Sequence, residues 1–129
     1  MPAAAKVKAV VVDDQMTIRS LVRTSLQQIG IVDVREFPSA DDALPELKTL
    51  PPHLVFSDFN MPGMDGLEFL RQIRADAGLK SLAFILLTGR ADKDLVQRAA
   101  QFGANNFLVK PFTVAAMKQK IEQAFGALT

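Results

Sequence analysis

Five polar residues stand where apolar runs of strand length end, and their types suit phosphoryl chemistry. Asp13 and Asp14 follow Val7 to Val12, Asp58 follows Leu54 to Ser57, Thr88 follows Leu82 to Leu87, and Lys110 follows Phe107 to Val109. Three carboxylates without a counter-charge repel one another, so their gathering makes sense around a hard divalent cation; oxygen-only ligands suit magnesium, with manganese as a substitute. Lys110 adds one positive charge. An octahedral ion that keeps several waters also has room for a phosphate oxygen, so the cluster can position and neutralise a phosphoryl group. Attack of a carboxylate on phosphorus needs alignment and charge stabilisation more than proton transfer. Asp58 suits the nucleophile, Thr88 the hydroxyl donor and Lys110 the ammonium. In the loop from Asp58 to Gly66, Pro62 and Gly63 force an irregular path that makes backbone carbonyls available, and Asn60 can offer one to the metal.

These residues meet only if the strands run parallel, with helices between them. Val32 to Phe37 supplies another strand-length run, making five. The first and fourth runs are almost continuously apolar, as expected of inner strands covered on both faces. Between the runs the period becomes helical. Met16, Ile18, Leu21, Val22, Leu26 and Ile29 mark a helix stopping at Gly30, and a second runs from Gly66 through Leu67, Phe69, Leu70 and Ile73. Others run from an Asp92 cap through Leu95, Val96, Ala99 and Phe102 to Gly103, and from a Thr113 cap through Val114, Met117, Ile121, Ala124, Phe125 and Leu128. The stretch Ser39 to Lys48 holds Pro45 too far in for a first-turn proline, which predicts a kinked or short helix. Strands alternating with helices imply right-handed crossovers and a doubly wound α/β fold. Pattern alone leaves the strand order open, but this topology binds ligands beyond the carboxyl ends of the strands, where the order reverses.

The 129 residues, about half of them apolar, fit one domain, expected over residues 7–129 after a short tail at 1–6. A formal net charge of +1 gives no global field toward nucleic acid or an anionic membrane. The absence of Cys excludes disulfides and thiol chemistry, and the lone His53 cannot build a histidine metal site. His53 reads as a partly exposed loop residue, and Met61 and Met64 as packing over the core. The apolar run near the N-terminus is too short for a signal peptide or membrane span, so a cytoplasmic protein is expected. A phosphatase of this topology would need a further general acid near the nucleophile, and Asn60 stands where a carboxylate could have served. A flavodoxin-like electron carrier would need a phosphate loop after the first strand and an aromatic to stack on flavin, and the chain has neither Trp nor Tyr.

The constellation resembles the receiver domains of two-component signalling, especially the stand-alone CheY-like proteins of chemotaxis. The resemblance covers nearly the whole chain. It implies a five-stranded parallel sheet of order 2-1-3-4-5 with five helices, an order for which CheY is itself a standard example and which the pattern here does not derive. By resemblance, Asp14 is a direct magnesium ligand and Asp13 acts through water, Asp58 is the phospho-acceptor, and Asn60 completes the metal site through its backbone oxygen. Thr88 matches the switch hydroxyl, Lys110 the lysine that bonds a phosphoryl oxygen, and Lys110-Pro111-Phe112 a segment whose peptide bond before proline is usually cis. Phe107 matches the aromatic switch position, often Tyr; without a hydroxyl its inward rotation must be driven by packing. Gly89 stands where Ala is common, and Arg90 where members vary and a long side chain can influence access to the phosphoryl group. The implied partners are a histidine kinase or phosphotransfer protein and an unidentified protein target, with no nucleic acid or membrane insertion and a monomer while unphosphorylated. With no effector domain following, the expected output is protein binding through the last strand and last two helices, which carry Lys93, Arg98, Lys118 and Lys120; the alternative is a phosphate sink or relay intermediate.

Overall fold

Alternate residues of the inner strands feed two separate apolar cores, one on each face of a single sheet. The computed structural model describes residues 3–89 and 92–129, so Arg90 lies outside the described residues. In chain order the elements are β1 (Lys8–Val12), α1 (Met16–Ile29), β2 (Asp33–Phe37), α2 (Ala40–Thr49), β3 (Leu54–Asp58), α3 (Gly66–Ala75), β4 (Ala83–Thr88), α4 (Lys93–Gln101), β5 (Asn106–Val109) and α5 (Val114–Phe125). All strand pairs are parallel and the order is β2-β1-β3-β4-β5. β1 and β4 are inner strands, as their apolar content predicts, and β3 between them is buried along its whole length.

Val10, Val12, Val55, Phe84 and Leu86 point to the face covered by α2, α3 and α4. Their neighbours Ala9, Val11, Leu54, Phe56 and Ile85 point to the face covered by α1 and α5. This is the period of two that a strand imposes on its side chains. Met61 is buried in the first core and Met64 packs against it.

Helix ends follow local chemistry. Gly30 takes the left-handed conformation (φ 106°) that closes α1, and the side chains of Ser39, Asp65, Asp92 and Thr113 accept backbone N–H bonds at the starts of α2, α3, α4 and α5. The helix expected to be kinked or short around Pro45 is a continuous one of ten residues, as long as α3. Pro45 lies on its exposed side, while Ala40, Ala43, Leu44 and Leu47 are buried. Burying two leucines is worth about 1.5–3 kcal/mol each, which offsets the roughly 3 kcal/mol of an interior proline.

Residues Ala4–Lys6 form a 3-10 turn, with Ala4 buried and its N–H bonded to the Thr129 carbonyl at 3.1 Å. Among the described residues no helix is long and apolar enough to cross a membrane.

The chain leaves β1 toward β2 and then crosses back to β3, so the direction of winding reverses between β1 and β3. The crevice expected at a topological switch point therefore opens at the carboxyl ends of these two strands.

Candidate functional site

Asp58 and Thr88 are the last ladder residues of β3 and β4, paired with Leu87 and Val109 respectively, and are therefore fixed by the sheet. Asp13 comes one residue after β1, and its N–H extends the ladder to the Phe37 carbonyl at 3.2 Å. The structure brings carboxylate oxygens of Asp13, Asp14 and Asp58 within 4.8 Å of one another; Asp13 and Asp58 are buried and Asp14 is exposed. Lys110, one residue beyond β5, reaches into the cluster. Its Nζ lies 3.2 Å from Asp58 Oδ1 and 3.6 Å from Asp13 Oδ2.

The two buried carboxylates are held differently. Asp58 Oδ1 accepts from the Phe59 N–H at 2.9 Å and from Lys110 Nζ. Asp13 Oδ1 accepts from the Gln15 N–H at 2.9 Å, whereas Asp13 Oδ2 is buried with no hydrogen-bond donor among the described residues. Burial raises the Asp13 carboxyl above the ordinary carboxylate range, and the charges of Asp58 and Asp14 add to this; the Gln15 N–H and Lys110 pull the other way.

Three carboxylates against one ammonium, with one buried oxygen lacking a donor, form a set that a hard divalent cation would satisfy. Asn60 lies exposed on the loop two residues past Asp58. With Thr88, Gly89 and α4's Asp94, Leu95 and Arg98, it walls a cavity of about 450 Å³.

Two supports were not visible in the sequence. Arg19 on α1 donates to the Asp13 carbonyl at 2.7 Å and is paired with Glu36 of β2 at 3.5 Å, pinning the turn that carries the acidic pair. Gly66 opens α3 directly against the site: a Cβ there would stand 2.5 Å from the Asp58 carbonyl oxygen. Neither has a periodic signal, since each depends on which segments meet in space.

The other expected features are accounted for. The Lys110-Pro111 bond is cis. An added Cβ on Gly89 would meet nothing within 4 Å, so this departure leaves no packing defect. His53 is exposed at the start of β3, its Nδ1 accepting from the Lys8 N–H at 2.9 Å. Phe107 pairs with Leu86, half-buried on the sheet face that carries Thr88.

A sequence profile described as the response regulator receiver domain matches residues 9–122. The chain belongs to this family. This receiver domain is 48% identical over 128 residues to the probable chemotaxis protein CheY of Rhizobium etli, covering 99% of each chain. It is 39% identical to the chemotaxis protein CheY of Pseudomonas aeruginosa, over 92% of this chain and 95% of that one. The crystallised chemotaxis protein CheY4 of Vibrio cholerae superposes on it with a TM-score of 0.85 at 28% identity, over 96% of this chain and 99% of that chain. This receiver domain is thus of the CheY type, with the sheet order that the resemblance implied.

Proposed function

We propose that this receiver domain accepts a phosphoryl group on Asp58 from a phosphohistidine of a partner kinase or phosphotransfer protein, and that the modification changes its affinity for a protein target. The observation that carries this reading is the Asp58 carboxylate, anchored on Oδ1 by Lys110 and the Phe59 N–H inside an acidic cluster. Among the described residues no hydrogen bond falls on Asp58 Oδ2, which leaves that oxygen to attack. The new O–P bond forms as the P–N bond of the donor breaks, and its electron pair returns to the imidazole nitrogen.

Asp14, Asp58 and the Asn60 carbonyl would hold magnesium, with Asp13 acting through water, and the ion would neutralise the phosphoryl oxygens. Lys110 takes a share of the same charge. Thr88, fixed at the end of β4, turns its hydroxyl toward the new oxygens, and Phe107 moves inward along the same face. The population shift is then felt on α4, β5 and α5. The CheY names of the relatives support a place in chemotaxis.

The test is incubation with magnesium and phosphoramidate followed by intact mass measurement. Wild type gains one phosphoryl group, and neither Asp58→Asn nor wild type with a chelator does. A wild type that gains none, or an Asp58→Asn variant that gains as much, contradicts the reading.

A further inference from the structure

Phe107 and Lys120 belong to opposite sides of the sheet. Phe107 packs against the core under α2, α3 and α4, whereas α5 buries Met117 and Ile121 in the other core. They meet because β5 is an edge strand, around which a long side chain from α5 can reach. Lys120 Nζ stands 4.6 Å from the centroid of the Phe107 ring. That is inside the about 6 Å within which a cation is attracted to an aromatic face. Among the described residues Lys120 forms no salt bridge, and the nearby Glu122 accepts instead from the Leu128 N–H at 3.0 Å. The ring is therefore the specific contact of this ammonium.

The ring is open on one side, toward Asn105 and Asn106 at the amino end of β5. It borders a cavity of about 220 Å³ whose walls include Val96, Ala99, Ala100 and Ala104. Register places Phe107 opposite Leu86, with Thr88 two residues further along the same face of β4. Travel of the ring toward Thr88 must take its face away from Lys120.

We infer that Lys120 is a positioning residue for the switch: its ammonium holds the Phe107 ring in the outer position and so opposes the activated state of the unphosphorylated chain. This rests on the assignment of Asp58 as phospho-acceptor and Phe107 as switch. By linkage, whatever stabilises the unactivated state weakens the binding of anything that prefers the activated one.

The probe is beryllofluoride, a mimic of the phosphoryl group, titrated with magnesium into wild type, Lys120→Gln, Lys120→Arg, Phe107→Leu and the Phe107→Leu/Lys120→Gln double variant. Lys120→Gln tightens binding by about two- to five-fold, the range an exposed cation–π contact carries. Lys120→Arg keeps the wild-type affinity, and in the Phe107→Leu background the effect of Lys120→Gln disappears. The sign is informative, because loss of a positive charge would by itself weaken anion binding. Unchanged or weaker binding by Lys120→Gln, or equal tightening in the Phe107→Leu background, overturns the role of Lys120 alone. A wild type that binds no beryllofluoride overturns the phospho-acceptor reading and this inference with it.

Discussion

Asp13 combines full burial with an oxygen that meets no hydrogen-bond donor among the described residues, and its carboxyl is raised above the ordinary carboxylate range chiefly by burial, then by Asp58 and Asp14. A carboxyl raised on folding binds more protons in the folded than in the unfolded chain, so metal-free stability falls as pH rises through that window. Magnesium binding requires the ionised cluster, and its affinity falls in the opposite direction, as the pH drops through the same window. Asp13→Asn is expected to stabilise the metal-free protein in urea unfolding at neutral pH and to flatten this pH dependence. It should also weaken magnesium about ten-fold by calorimetry, as loss of an outer ligand partner does. Destabilisation by Asp13→Asn would contradict this account. The acidic pair, Asp58, Thr88 and Lys110 were legible in the sequence because each stands where an apolar run stops. Arg19 and the Lys120 contact with Phe107 were not, since a long side chain has no period that announces its partner.

The site is held by the way elements are joined. α3 begins against the end of β3, and a Cβ on Gly66 would lie 2.5 Å from the Asp58 carbonyl oxygen and 2.9 Å from Phe59 Cα. Backbone cannot yield as a flexible side chain can. Gly66→Ala is expected to cost about 1–3 kcal/mol in urea unfolding and to slow phosphorylation by moving Asp58, measured by the rate of mass gain from phosphoramidate. At the far end of α3, the Arg74 guanidinium donates to the carbonyls of Leu82 at 2.7 Å and Gly103 at 2.8 Å and to Asn105 Oδ1 at 3.0 Å. It thereby ties α3 to the entry of β4 and to the turn before β5. Arg74→Met should cost about 2–3 kcal/mol, because bonds from a charged donor are lost and carbonyls are left unpaired. Element types were legible from periods of two and 3.6, and the caps at Asp92 and Thr113 from residue type. How α2 carries Pro45 was less legible, because the weight of Leu44 and Leu47 in the core becomes apparent only once the helix is docked. Arg74 escaped notice because its partners Leu82, Gly103 and Asn105 lie 8, 29 and 31 positions away.

For the whole molecule, strand order decides what the residues can do. Apolar content identified β1 and β4 as inner strands, but the neighbour relation of β1 and β3, which joins Asp13 to Asp58, came from family resemblance because pairing partners leave no local pattern. The sheet order and the relatives' similarity agree on it. A cation bound only by the folded chain stabilises all of it: magnesium at ten times its Kd should add about 1.4 kcal/mol, raising Tm by several degrees. Asp14→Asn should lose most of that shift, and an unchanged shift would place the ion elsewhere. The proposed function rests on transfer of one phosphoryl group to one carboxylate. It is tested most directly by treating the phosphoramidate-loaded protein with borohydride, which reduces an acyl phosphate to the alcohol, and mapping the product by peptide sequencing. The prediction is reduction at position 58 alone, dependent on magnesium; reduction at Asp13 or Asp14, or none at all, would contradict it.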